Sequence, residues 1–186
     1  MNFAISIVIL LFSTIALASS DAKSLPSEQD VTSIEGAFPK LTASTLAGTP
    51  LRLPQDFVGD RNLLFIAFQR EQQQNVDTWL REMKRFAGFP GFKYYELPTI
   101  DRLNPLARWF IDRGMRRGIP DREARSRTVT LYLDKPSFRK ALNLPDESRI
   151  YAVLIDRTGR VIWRAEGDFD EAKASSLQKA LARDER

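Results

Sequence analysis

Residues 149–167 read RIYAVLIDRTGRVIWRAEG, and this stretch decides the fold. Arg149 to Ile155 is an apolar run of strand length. Asp156-Arg157-Thr158-Gly159 supplies turn chemistry, and Arg160 to Ala165 returns as a second strand. Beyond this hairpin, Asp170 to about Arg183 carries Ala174, Leu177 and Leu181 on one helical face, so a helix closes the chain over the hairpin. Towards the N-terminus, residues 62–68, NLLFIAF, form a continuous apolar run suited to a central strand buried on both sides.

The segments between these strands alternate in type. Phe38 to Leu46 and Pro50 to Leu53 read as two short extended pieces around the turn Ala47-Gly48-Thr49. After the polar run Gln69 to Asn75, residues Val76, Trp79, Leu80, Met83 and Phe86 recur at helical spacing, with Gly88 as the stop. Phe92 to Ile100 reads as a strand. Asn104 followed by Pro105 is an N-cap with proline at the first helical position, opening a helix to about Arg117. Thr128 to Leu133 is strand-like by its β-branched and aromatic content, and Pro136 to Leu142 is a short helix. The order is a β-hairpin, then β, α, β, α, β, α, then a β-hairpin and a final α. That order predicts an α/β sandwich with a mixed central sheet flanked by helices.

Composition removes whole classes of chemistry. Among 186 residues there is no cysteine and no histidine. Disulfides, thiolate nucleophiles, Cys/His zinc sites and histidine general-base catalysis are therefore excluded. With 43% hydrophobic and 28% charged residues, the chain has the make-up of a folded globular domain. The isoelectric point of about 9.5 comes from mixed charges without a nucleic-acid-binding motif, so no nucleic-acid partner is expected. No cofactor or metal is expected either, since the nine glycines form no P-loop and no dinucleotide fingerprint.

Residues 3–18, FAISIVILLFSTIALA, are uncharged and end in Ala16-Leu17-Ala18, small residues where a signal peptidase cleaves. They predict a signal peptide over 1–18, a Ser-rich linker over 19–36, and one domain over 37–186. A periplasmic or secreted location follows. The alternative is an N-terminal membrane anchor.

Two stretches resemble the thioredoxin-like fold in its peroxiredoxin-like elaboration. FPKLTASTLAGTPLRLPQDFVGDRNLLFIAF (38–68) is similar to the opening of such proteins, and YAVLIDRTGRVIWRAEG (151–167) to their closing strand–turn–strand. More narrowly, Trp79, RWFIDRGMRRGIP (108–120), and Asp156, Gly159, Arg160 and Trp163 resemble the mitochondrial ATP synthase assembly factor family. The resemblance covers roughly residues 38–182. It implies a thioredoxin-like sandwich with an N-terminal β-hairpin. It also implies a nucleophilic thiol at the start of the first long helix, and there this chain has Gln69 to Asp77 without a cysteine. The cis-proline of the oxidoreductases has no counterpart in Ser148 to Tyr151. What the resemblance leaves is a redox-inactive member, without enzymatic activity, used for its surface. The assembly-factor likeness implies a chaperone-like role towards a protein partner associated with a membrane.

Among candidate sites, Arg108 to Arg127 holds seven arginines against Asp112, Asp121 and Glu123, which equals the whole net charge of +4. Arginine without lysine favours planar, bidentate contact with carboxylate or phosphate. Trp109, Arg113, Arg116 and Arg117 are the candidate binding residues, for an acidic protein segment or lipid headgroups. The plainer reading is a solvated helix face plus a polar loop, whose basic residues oppose the dipole at the helix C-terminus. Gln69 to Asn75 would be either a remnant of a binding pocket or a solvated first helical turn. Asp168, Asp170 and Glu171 would be either a carboxylate site or the capping of the last helix. Ser-x-x-Lys occurs at Ser20–Lys23, Ser137–Lys140 and Ser176–Lys179, without the supporting elements of the serine–lysine enzymes. The rival to a binding factor is thus an enzyme or small-ligand binder that reuses the scaffold's pocket without thiol chemistry.

Overall fold

The computed structural model describes residues 36–183. The signal peptide and almost all of the linker lie outside the described residues. The strands are β1 (Leu41–Thr45), β2 (Pro50–Leu53), β3 (Arg61–Ala67), β4 (Phe92–Asp101), β5 (Val129–Leu133), β6 (Tyr151–Asp156) and β7 (Val161–Glu166). The α-helices are α1 (Gln73–Leu80), α2 (Pro105–Gly118), α3 (Arg122–Arg127), α4 (Lys135–Ala141) and α5 (Glu171–Ala182). One seven-stranded sheet runs in the order β2-β1-β5-β4-β3-β6-β7. Strands β3, β4 and β5 are parallel, and the remaining neighbours pair antiparallel. The sheet is mixed, as expected from a chain that alternates strand and helix and ends in a hairpin.

The central strands have no polar face because both faces carry a core. On β3 and β6, Leu64, Ile66, Tyr151, Val153 and Ile155 enter one cluster, together with Phe38, Leu53, Phe138 and Leu142. The alternate residues Leu63, Phe65, Ala152 and Leu154 enter the other, against Val76, Trp79, Met83, Phe86, Trp163, Ala174, Leu177 and Leu181. The period of two along each strand thus sorts one apolar run into two cores. The turn between β6 and β7 is held by Asp156, whose Oδ1 accepts from the backbone N–H groups of Thr158 (2.9 Å) and Arg160 (3.0 Å). Gly159 takes φ 89°, in the left-handed region that favours glycine.

Two elements differ from the sequence expectation. The apolar set Val76 to Phe86 is not one helix. It begins with a 3₁₀ turn, Arg70–Gln72, continues as α1, and ends in a second 3₁₀ turn, Met83–Phe86. Around the break the bonds shorten to i→i−3, as from Glu82 N–H to the Trp79 carbonyl (2.9 Å), yet the apolar residues still reach the core. The basic stretch after α2, read as a polar loop, contains α3. Asp121 caps it, accepting from the N–H groups of Glu123 and Ala124 (both 3.1 Å).

Candidate functional site

In the thioredoxin-like scaffold the reactive position lies where β3 passes into the first helix. Here that stretch is Gln69 to Asp77, in which Gln72 is 5% exposed. Its Oε1 accepts from the backbone N–H groups of Phe68 (2.8 Å) and Gln69 (3.2 Å). Its Nε2 donates to the Glu147 carbonyl (2.8 Å), and Gln69 Nε2 reaches the same oxygen at 3.3 Å. One amide therefore ties together the end of β3, the start of the helix and the loop before β6. A nucleophile there would need a lone pair and an open approach. Gln72 offers neither, because both ends of its side chain are bonded within the protein.

The polar run and the acidic cluster meet in space through direct hydrogen bonds. Asn75 Nδ2 donates to Asp168 Oδ1 (2.6 Å), and Phe169 N–H donates to Thr78 Oγ1 (2.9 Å). Asp170 caps α5 by accepting from Lys173 N–H (2.8 Å), and Glu171 makes a two-pronged pair with Arg85 (2.7 and 2.8 Å). The acidic cluster thus does the structural work of capping and pairing. Ser176 of the last Ser-x-x-Lys accepts from the Trp163 indole N–H (2.9 Å), which places it on a packed tryptophan.

Two grooves are present elsewhere. One, of about 540 Å³, runs between β1, β2, β5 and α2 and includes Arg52, Asp56, Arg108, Asp112 and Tyr132. Its charges are satisfied internally. Arg52 pairs with Asp56 (3.2 Å), Tyr132 donates to Asp112 Oδ1 (2.8 Å), and the Arg108 guanidinium lies 5.0 Å from the Tyr132 ring centre. Burial and the neighbouring Asp112 carboxylate push the Tyr132 hydroxyl well above its ordinary range. The other groove, of about 530 Å³, lies along the N-terminal half of β4 and includes Tyr94, Tyr95, Val58 and Arg127.

Beside this second groove, Glu96 is a buried carboxylate, 8% exposed, accepting from Gln73 Nε2 (3.2 Å). Burial pushes its pKa up, Asp77 adds to the rise, and the Gln73 bond and the Arg127 charge oppose it. A carboxyl whose folded pKa is raised keeps its proton in the native state after the unfolded chain has lost its own. Its contribution to stability therefore falls as pH climbs from the ordinary glutamate range through the folded value. Glu96→Gln keeps the acceptor for Gln73 and removes the titration. The variant should melt at a higher temperature than wild type above neutral pH, with the gap closing near pH ~4, below the unfolded pKa. Thermal unfolding across that pH range checks this, and parallel profiles would show that Glu96 ionises without cost.

The arginine-rich segment is where the surface departs from that of an ordinary soluble domain. α2 is seated by polar contacts and contributes no buried residue. Asn104 caps it through Ala107 N–H (2.9 Å). Asp112 meets Tyr132, and Arg116 Nε donates to the Leu46 carbonyl (2.8 Å), pinning the helix to the end of β1. Three large apolar side chains are left facing solvent: Leu106 at 66% exposure, Trp109 at 47% and Phe110 at 61%. At 100° per residue, these three share an arc of about 100° with Arg113 and Arg117. Trp109 and Phe110 stack edge to face with centres 5.0 Å apart, and the Arg113 guanidinium lies 5.1 Å from the Trp109 ring. Of the four residues expected to bind, the structure brings Trp109, Arg113 and Arg117 onto one exposed face and turns Arg116 inward. Leu106 and Phe110 join the face. Their i, i+4 spacing carries the signal, which ordinarily marks a core-facing stripe. Gly114 lies in the same helix, and a Cβ there would meet nothing within 4 Å. Gly114→Ala should raise stability by about 0.5–1 kcal/mol through helix propensity, read as an upward shift in the urea midpoint.

No protein-family model matches the chain, and no curated protein sequence matches it. Solved structures do. A proposed electron transfer protein from Aquifex aeolicus VF5 superposes with a TM-score of 0.57 at 12% identity, over 81% of this chain and 95% of that one. A thiol:disulfide interchange protein of the thioredoxin family from Chlorobium tepidum TLS superposes with a TM-score of 0.51 at 13% identity, over 80% and 97%. At such identities the likeness is one of fold. This chain has a thioredoxin-like fold and no cysteine with which to run that fold's thiol chemistry.

Proposed function

We propose that this protein is a redox-inactive, non-enzymatic binding factor of assembly or chaperone type, with α2 as its docking element. The observation that carries the reading is the exposed face of Leu106, Trp109, Phe110, Arg113 and Arg117. Apolar side chains of that size cost free energy in water, and a face that adds arginine to aromatic residues has the composition of a contact surface. The amide lock at Gln72 supports it from the other side, since a buried residue of the run where the resemblance would place a thiol is spent on structure. The resemblance of 108–120 and 151–167 to the mitochondrial ATP synthase assembly factor family supports a role in helping a membrane-associated protein. Residues 1–18 would deliver the domain to the periplasm or the exterior.

Proximity labelling in the native cell envelope tests the reading. A labelling enzyme fused to the full chain is compared with the same fusion carrying Trp109→Ala, Arg113→Gln and Arg117→Gln. The expected result is a defined set of envelope proteins whose labelling collapses in the variant. An unchanged set would remove α2 from the function.

A further inference from the structure

We infer that the surface on which α2 docks is an anionic lipid bilayer, with Leu106, Trp109 and Phe110 entering its interface and Arg113 and Arg117 holding headgroup phosphates. The inference rests on the reading of α2 as a docking element and names what it docks on. α2 carries an apolar face on its solvent side as well as half-buried apolar residues towards the domain. Arg108, Asp112 and Arg116 bond to the domain beside the half-buried Ile111 and Met115, and three further large apolar residues, Leu106, Trp109 and Phe110, face out. Its 14 residues make a rod about 21 Å long, too short to cross a hydrocarbon core and suited to lying in the interface plane.

The chemistry of the face matches headgroups. Tryptophan and phenylalanine favour the boundary between headgroup and acyl chain. Arginine lays its stem along apolar surface, keeps its guanidinium in the polar layer, and grips phosphate with two parallel N–H bonds. Arg117 and Arg122 are exposed and make no hydrogen bond or ion pair among the described residues. The nearby acids are already engaged. Asp112 accepts from Tyr132, Asp121 caps α3, and Glu123 pairs with Arg127. No carboxylate lies on the exposed arc, so the face presents positive charge to whatever meets it.

Shape favours lipid over a protein segment. Neither of the two grooves is lined by Leu106, Trp109, Phe110, Arg113 or Arg117. The five stand together on one exposed helix face. A bound peptide takes its register from a groove, whereas a fluid bilayer accommodates an exposed helix face lying in its interface.

The tryptophans supply a local probe. Trp79 is 0% exposed and Trp163 6%, so Trp109 at 47% is the one that senses a bilayer. The full chain also carries the apolar run 3–18, so adsorption to vesicles alone says nothing about α2, while Trp109 emission does. The full chain is mixed with vesicles of phosphatidylcholine, with or without phosphatidylglycerol, in plain and bromine-labelled forms. With phosphatidylglycerol, Trp109 emission should shift to the blue and be quenched by bromolipid. The apparent affinity should fall about tenfold or more in Arg113→Gln/Arg117→Gln, and also at raised salt. Trp109→Phe should abolish the signal while leaving the far-ultraviolet dichroism unchanged. Equal quenching in pure phosphatidylcholine, insensitive to the arginines, would overturn the inference, as would no quenching at all. If quenching is absent but envelope labelling still depends on α2, the helix docks on protein: the binding-factor reading stands and the lipid assignment falls.

Discussion

Trp79→Ala should destabilise the domain by about 3–5 kcal/mol, the range for deleting a buried large aromatic side chain. Trp79 is fully buried in the second core, between the helical layer and the sheet. Its ring contacts Phe65 from β3 (5.7 Å between centres), Trp163 from β7 (6.1 Å, edge to face) and Phe169 ahead of α5 (5.2 Å, edge to face). Its indole N–H donates to the Gly167 carbonyl (2.9 Å), and Gly167 N–H in turn donates to the Ile150 carbonyl (2.9 Å). Truncation therefore opens a cavity where three segments meet and orphans an acceptor at the β7–α5 corner. For a domain whose whole stability is of order 5–15 kcal/mol, this is a large fraction. Urea unfolding should show a much lower midpoint with an unchanged slope. Trp79→Phe should recover most of the loss, since it refills the ring volume and forfeits only the hydrogen bond. A cost for Trp79→Ala below about 1 kcal/mol would mean that the second core is not packed around this ring.

The two cores were legible in the sequence because each is written by a period. The alternation within NLLFIAF and YAVLID sorts onto two faces, and the spacing of Ala174, Leu177 and Leu181 fits a helix of about three turns. The hairpin turn was legible because Asp156 and Gly159 are the residue types such a turn needs. α3 was not. It has a single apolar residue, Ala124, so hydrophobic periodicity is silent, and its cap is one aspartate in a run of charges. The docking face was half legible. Tryptophan among arginines marked the segment, but Leu106 and Phe110 at helical spacing normally point to a core. Which way α2 turns is decided by contacts distant in sequence: Asp112 with Tyr132 of β5, and Arg116 with Leu46. The +4 excess read from residues 108–127 likewise divides in space. Arg108, Arg116, Arg125 and Arg127 donate to partners within the domain, while Arg113, Arg117 and Arg122 remain for the outside.

Gln72→Ala should cost about 2–3 kcal/mol, far beyond what removing a surface glutamine costs. The physical reason is the asymmetry of buried hydrogen bonds. Each contributes modestly when made, but a buried donor left alone loses its full solvation, about 1–3 kcal/mol. Truncation strands the N–H of Phe68, in a fully buried bond, and loosens that of Gln69, to which water has access. It also frees the Glu147 carbonyl from Gln72 Nε2. Gln72→Met separates volume from bonding, since methionine fills the space and accepts almost nothing. If the bonds matter, the methionine variant should unfold nearly as early as the alanine variant. If only packing matters, it should match wild type. Hydrogen exchange gives a local readout, because the Phe68 and Gln69 amides should lose protection in both variants while the amides of β6 keep theirs. A wild-type exchange rate at those two amides would remove Gln72 as the lock. The result bears on how this scaffold is used. In a thiol enzyme the strand–helix junction must stay open to a substrate disulfide. Here Gln72 is bonded at three points within that junction, so the exchange rates of Phe68 and Gln69 report how firmly one side chain holds the end of β3 to the first helix.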